Sequence, residues 1–241
     1  MRYTQIPKDL FIKNRSNFTA KMKSNTLAIL TSNDVKHNNA DDVMGFTQNN
    51  DLFYLCGIDQ EESVLILYPD AHGKQNREVL FIKETNEQIK IWDGDKLTKE
   101  QATAISGISR VEWVSDFESM LQLMAFEADG FYLGHNEHIK RVTFNQQTQQ
   151  DRLIIWCKEK YPLHEYYRAA KITRDLRLVK SEVEIALMQK AADISVVSFK
   201  RVLKACEPNM REFELEAELA YHLIKSGATR HAFKPIVASG K

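Results

Sequence analysis

The chain has no paired cysteines, no charge of one sign in excess and no long apolar run. Its three cysteines, Cys56, Cys157 and Cys206, stand far apart with no CxxC pair. Reduced thiols in a cytoplasmic chain are the simplest reading of that spacing. Thirty-three Lys and Arg balance thirty-three Asp and Glu. A net charge of zero gives no field that would favour nucleic acid or an anionic membrane. No apolar stretch approaches the roughly 20 residues that span a bilayer. The N-terminus has no signal-peptide core, because Lys8, Lys13, Arg15 and Lys21 interrupt it. A Gly-rich phosphate loop, a G-x-S-x-G elbow, an H-E-x-x-H helix and a Cys/His dyad are all missing as well. There is no internal repeat, and the one biased tract, Gln146-Gln147-Thr148-Gln149-Gln150, fits a solvated helix face or loop.

The residues that are there alternate between strand and helix patterns. Lys8 to Lys23 suits a helix burying Leu10, Phe11 and Phe18. Thr26–Leu30, Ser63–Tyr68 and Glu78–Ile82 are short apolar runs, the last two separated by the turn-like Pro69-Asp70-Ala71-His72-Gly73 and read as a hairpin or neighbouring strands. A helix capped by Thr98, a strand at Arg110–Val114, a helix at Ser115–Phe126, a strand at Gly130–Leu133 and a helix from Asn145 to Lys160 complete a layered α/β pattern. Near Arg168 the character turns helical and charged. Ser181-Glu182-Val183-Glu184 has the capping-box form, and Val183, Leu187, Ala191, Ile194, Val197 and Val202 then share one face. Pro208-Asn209 breaks that helix, Asn209 is expected to cap the next, and Gly227 to end it.

Several motifs carry two readings. Gln48-Asn49-Asn50-Asp51 runs straight into Phe53-Tyr54-Leu55-Cys56-Gly57, either a helix-capping turn with structural aromatics or a ligand-contacting loop. Trp92, beside the Asp93-Gly94 turn, is either a core residue next to a hairpin turn or a half-exposed ring at a subunit contact or substrate wall. His135 and His138 have metal-pair spacing but sit in a loop with no further ligand nearby. Asp41-Asp42 reads as a turn or salt-bridge element. The recurring Glu182, Glu184, Glu212, Glu214, Glu216 and Glu218 read as solvated faces. His164 and His222 read as structural. His231 lies between a helix and an apolar strand, where side chains of α/β enzymes often face a cleft.

Four blocks together resemble the Xaa-Pro aminopeptidase (aminopeptidase P) family of the prolidase/creatinase group. Gln48 to Gly57 is similar to its Q-N-S-D-F-x-Y-L-T-G signature, and Ile91-Trp92-Asp93-Gly94-Asp95-Lys96-Leu97 to I-W-x-G-x-R-L. Leu176 to Ile185 resembles the L-R-x-x-K-S-x-x-E-I that opens the catalytic domain, and Phe233 to Gly240 the strand before its first catalytic histidine. Thr47 and Asn50 depart from the pattern, standing where the family usually has Arg and Ser. The resemblance implies an α/β domain with a mixed β-sheet flanked by helices over residues 1–172. It implies the start of a pita-bread α+β domain over 173–241. It implies two divalent metal ions, usually manganese, held by two aspartates, a histidine and two glutamates, all placed beyond Lys241. On this reading no metal ligand and no catalytic residue falls in the segment, which would be inactive alone. Trp92 and His231 are then the candidates for substrate binding or subunit contact. Proline-containing peptides are the implied substrates and a homo-oligomer the implied assembly. A non-catalytic peptide- or protein-binding module of the same architecture, or a prolidase-type dipeptidase, are the alternatives.

Overall fold

The computed structural model describes residues 5–137, 147–233 and 235–239, and the side chains of residues 92 and 93 lie outside that description. The chain divides into two compact units, one over Ile6–Val179 and one that takes in the segment from Lys180 onward.

The first unit begins with α1 (Lys8–Thr19) and β1 (Thr26–Thr31), followed by α2 (Asn50–Cys56), β2 (Val64–Leu67) and β3 (Glu78–Ile82). Two helices, α3 (Glu87–Asp93) and α4 (Lys99–Ser106), lead to β4 (Arg110–Trp113). Then come α5 (Phe117–Glu127), β5 (Gly130–Leu133), α6 (Gln149–Lys160), β6 (Glu165–Arg168) and α7 (Ala169–Leu178). Among the described residues the strands form one mixed sheet in the order β4-β3-β2-β1-β5-β6. β1–β2 and β2–β3 are antiparallel, while β3–β4, β1–β5 and β5–β6 are parallel. The expected β2–β3 neighbour pair is present, with Leu65 opposite Leu80 and Ile66 opposite Val79.

β1 is buried at every position, as its unbroken Leu-Ala-Ile-Leu run requires of a strand covered on both faces. Successive side chains alternate between two cores. Ala28 and Leu30 pack with Phe18 of α1, Leu52 and Leu55 of α2, Ala102 of α4 and Ile172 of α7. Leu27 and Ile29 pack with Leu121 and Met124 of α5 and Cys157 of α6. Edge strand β4 is guarded by charge: Glu112 takes hydrogen bonds from Lys99 and Arg110, which blunts edge pairing and lowers its pKa, the Lys99 bond foremost.

Residues 172 and 173, between which the two domains are expected to divide, lie in α7, and the compact units divide after Val179. Ala169, Ile172 and Thr173 on α7 are buried. Some local expectations shift. β6 escapes notice in the sequence because its Glu-Tyr-Tyr-Arg has charged ends and no apolar run. α6 starts at Gln149, later than expected, because Thr148 and Asp151 form a capping box there. Trp92 does not sit beside a hairpin turn: it lies on α3, which ends at Gly94 with a positive φ of 75°.

In the second unit α8 (Glu182–Ala205) and α9 (Glu212–Lys225) pack on each other. Ser181 accepts from the Glu184 amide and Glu184 takes the Ser181 amide at 2.8 Å, as the capping box requires. Asn209 does not cap α9. It adopts a left-handed turn, φ 73°, and the helix opens at Arg211, whose amide donates to the Glu214 carboxylate at 2.7 Å. Gly227, at φ 93°, follows the end of α9. Of the strand expected over 233–240, residues 235–239 run without a ladder partner among the described residues, and residues 234 and 240 lie outside them. A strand exists only through its pairing, and Ile236 is 92% exposed.

Candidate functional site

The densest motif forms a structural joint. Asn49 caps α2, its side-chain oxygen accepting from the Asp51 and Leu52 amides at 2.9 and 3.2 Å. Gln48 is buried. It donates to the carbonyls of Ile58 and Gln60 at 3.0 and 2.8 Å, and its own oxygen takes the Asn49 amide at 2.7 Å. Leu52, Leu55 and Cys56 drop into the core, and burial pushes the Cys56 thiol up to about 12. Gly57 closes α2 at φ 71°, and a Cβ there would come within 2.3 Å of the Phe11 ring. The capping reading of this block therefore accounts for its residues.

A buried cation lies beneath it. Arg15 of α1 is fully buried. Its Nε donates to Glu78 of β3 at 3.0 Å, and its Nη1 donates to the carbonyls of Leu55 and Ser106, both at 2.9 Å. One guanidinium thus caps the carboxyl ends of α2 and α4, the two helices that finish at Gly57 and Gly107 in left-handed conformation. The sequence reading missed Arg15. The available signal was the buried stripe Phe11, Asn14, Arg15, Phe18 at helical spacing, in which polar members must find partners.

Three of the four motif blocks converge on this joint. From the Trp92 block, the Leu97 amide donates to Gln60 Oε1 at 2.8 Å, and Lys96 pairs with Glu61 at 2.5 Å. Gln60 in turn accepts from Gln48 through its carbonyl. From the block that opens with Leu176, Arg177 donates to Asp51 at 2.6 Å. The Trp92 side chain itself lies outside the described residues, while its neighbour Ile91 on α3 is 76% exposed. His231 is half-buried in the irregular segment after α9 and belongs to the other unit.

The carboxyl ends of β1 and β5 mark the point where the strand order changes direction, the usual ligand crevice of open α/β sheets. The protein's own side chains occupy it. Asp34 takes the Gln149 amide at the start of α6 at 2.8 Å and pairs with Arg152. Ser32 donates to Gln149 at 3.2 Å, and His135 contacts Asp151 at 3.0 Å. A phosphate would have to displace the Asp34 carboxylate from the helix end that attracts it. Nearby, Arg168 donates to Glu137 and thereby lowers its pKa.

The remaining candidates are structural where described. His164 hydrogen-bonds the Ala125 carbonyl at 2.8 Å and packs on Phe131. His222 lies 3.6 Å from Glu218, and Asp42 takes a bond from Asn38 at 2.8 Å within a turn. His138 lies outside the described residues. Among the described residues no three His, Cys, Asp or Glu side chains are grouped to hold a metal ion.

The sequence fits the family described as "Aminopeptidase P, N-terminal domain" over residues 11–132, and "Metallopeptidase family M24" over 186–241. It is 24% identical to an Xaa-Pro aminopeptidase of Escherichia coli strain K12, over 99% of this chain and 54% of that protein. It is 24% identical to the human Xaa-Pro aminopeptidase 3, over 88% of this chain and 41% of that protein. Among solved structures, the Pseudomonas aeruginosa aminopeptidase PepP superposes with a TM-score of 0.81 at 27% identity, over 94% of this chain and 51% of that one. The chain spans about half the length of the relatives it matches.

Proposed function

The chain belongs to the aminopeptidase P family, and from that premise we propose that it is the N-terminal domain and the start of the catalytic domain of a metal-dependent Xaa-Pro aminopeptidase. The proposed reaction releases the first residue from peptides with proline in second position. Its scissile bond is a tertiary amide, so selectivity needs a pocket shaped to the proline ring. The observation that carries this reading is the order of the two family matches along the chain, 11–132 and then 186–241. The convergence of three motif blocks on α2 supports it. Apolar side chains on α8 and α9, Phe199, Leu203 and Phe213 among them, are exposed, and this supports a larger apolar core around that unit.

In this reading the metal ions, manganese for preference, are held by residues outside Met1–Lys241. The sheet domain serves assembly and substrate access in a cytoplasmic homo-oligomer, and Trp92 and His231 contact substrate or a neighbouring subunit. The deciding experiment is an Xaa-Pro peptide hydrolysis assay with added manganese. Residues 1–241 should show no turnover, and the protein carrying its complete metallopeptidase region should show metal-dependent release of the first residue. Turnover by residues 1–241 would overturn the assignment of chemistry. Peptide binding without turnover by the longer protein would instead support the non-catalytic module. Replacing Trp92 with Ala should change oligomer size or Xaa-Pro kinetics.

A further inference from the structure

Helix α7 is the last element of the sheet unit, and beyond its first half only Leu176, partly buried against the core, adds apolar packing. Its buried residues, Ala169, Ile172 and Thr173, lie in its first half. Leu178 and Val179 are 68% and 83% exposed. A carboxylate from far away in sequence grips the helix at its middle and in its last turn. Asp51 Oδ2 accepts from Thr173 Oγ1 at 2.9 Å, and Asp51 Oδ1 accepts from Arg177 at 2.6 Å, a pair 126 positions apart. Thr173 and Arg177 are four residues apart and so share one face of α7. Asp51 is itself fixed, because Asn49 holds its amide in the first turn of α2. Arg177 lies in the last turn of α7, where a cation also suits the helix dipole. Two residues later the sheet unit ends, and the metallopeptidase match begins at residue 186.

We propose that Asp51 and Arg177 form a latch that fixes where the chain leaves the sheet unit for the metallopeptidase segment, which makes both of them positioning residues for the reaction. The latch is a local structural claim; its kinetic role rests on the function proposed above. It also accounts for two motif blocks so distant in sequence meeting through charged side chains. Neither residue is needed to fill the core.

The test compares Arg177→Gln, Asp51→Asn and the conservative Arg177→Lys in the protein carrying its complete metallopeptidase region. Amide hydrogen exchange is read by peptide, and Xaa-Pro hydrolysis is followed with manganese. Arg177→Gln and Asp51→Asn should speed exchange over residues 173–178 by roughly two- to fivefold, as for loss of a partly exposed ion pair. Exchange in β1, β2 and β3 should stay unchanged. The same two variants should lower kcat, and Arg177→Lys should restore both readouts. Unchanged exchange in α7 overturns the latch. Faster exchange with wild-type kcat and KM overturns the positioning role and leaves the functional reading standing. An unsubstituted protein without turnover overturns the functional reading and the kinetic role with it, while exchange in α7 still decides the latch.

Discussion

Replacing Arg15 with Met tests whether the buried guanidinium holds the sheet unit together. Met keeps most of the side-chain length and apolar stem, so the change isolates the charged head. Three hydrogen bonds vanish: one to Glu78 and one each to the Leu55 and Ser106 carbonyls. Hydrogen bonds to a charged group are worth about 1.5–3 kcal/mol each. Three adjustments reduce their sum. The Glu78 side chain is 36% exposed, so water takes over much of its lost partner. One guanidinium nitrogen, Nη2, has no partner among the described residues, so removing it relieves a desolvation cost. A well-packed apolar substitute for a whole buried ion cluster is often neutral, but here only one member is replaced and two helix-end carbonyls stay buried. The net expectation is a loss of about 3–5 kcal/mol against a total stability on the order of 5–15. Urea unfolding followed by tryptophan fluorescence should move its midpoint down by about 2 M, for an m value near 2 kcal/mol/M. Arg15→Lys should lie between the two, because an ammonium cannot fork to three directed acceptors. A loss under about 1 kcal/mol for Arg15→Met, the ordinary surface-like range, would refute the shared-cap argument.

Two further outcomes follow from the same joint and its surroundings. Gly57→Ala forces φ 71° on an L-residue and sets its Cβ 2.3 Å from the Phe11 ring. It should cost about 2 kcal/mol or more, read as a lower thermal midpoint, and a neutral result would mean that Phe11 is free to move aside. On the alkaline side, Cys56, Cys157 and Tyr166 are each pushed up to about 12, from 9.0, 9.0 and 10.0, chiefly by burial. A raised folded pKa favours the protonated form in the native state, so this stabilisation is complete below the unfolded values. It is lost as pH climbs from about 9 to 12. The thermal midpoint should fall steeply across that window, and a flat profile there would contradict the burial of these groups.

The sequence by itself determined the local elements and the family. Runs such as Thr26–Leu30 and Glu78–Ile82 declare strands because an unbroken apolar stretch of that length fits a strand covered on both faces. The Ser181 and Thr98 caps declare helix starts, because a hydroxyl followed three residues later by Glu or Gln satisfies orphan amides locally. Asn209 shows the limit: its side chain suits a cap, but the chain uses its tolerance of positive φ for a turn and caps α9 two residues later, at Arg211. The four-residue β6 was invisible because its place is set by pairing with β5, a contact that no local pattern encodes.

Tertiary structure alone decided what the motif residues do. Gln48, Leu97 and Arg177 lie in three separate blocks, and only the fold shows them tied through Gln60 and Asp51 to the start of α2. Arg15 reads as one more surface cation in an amphipathic helix until the ends of α2 and α4 are brought over it. The physical reason is common to both. Propensity and capping act within a few residues along the chain, while buried charge and hydrogen-bond partners are supplied by segments that meet only after the sheet has formed.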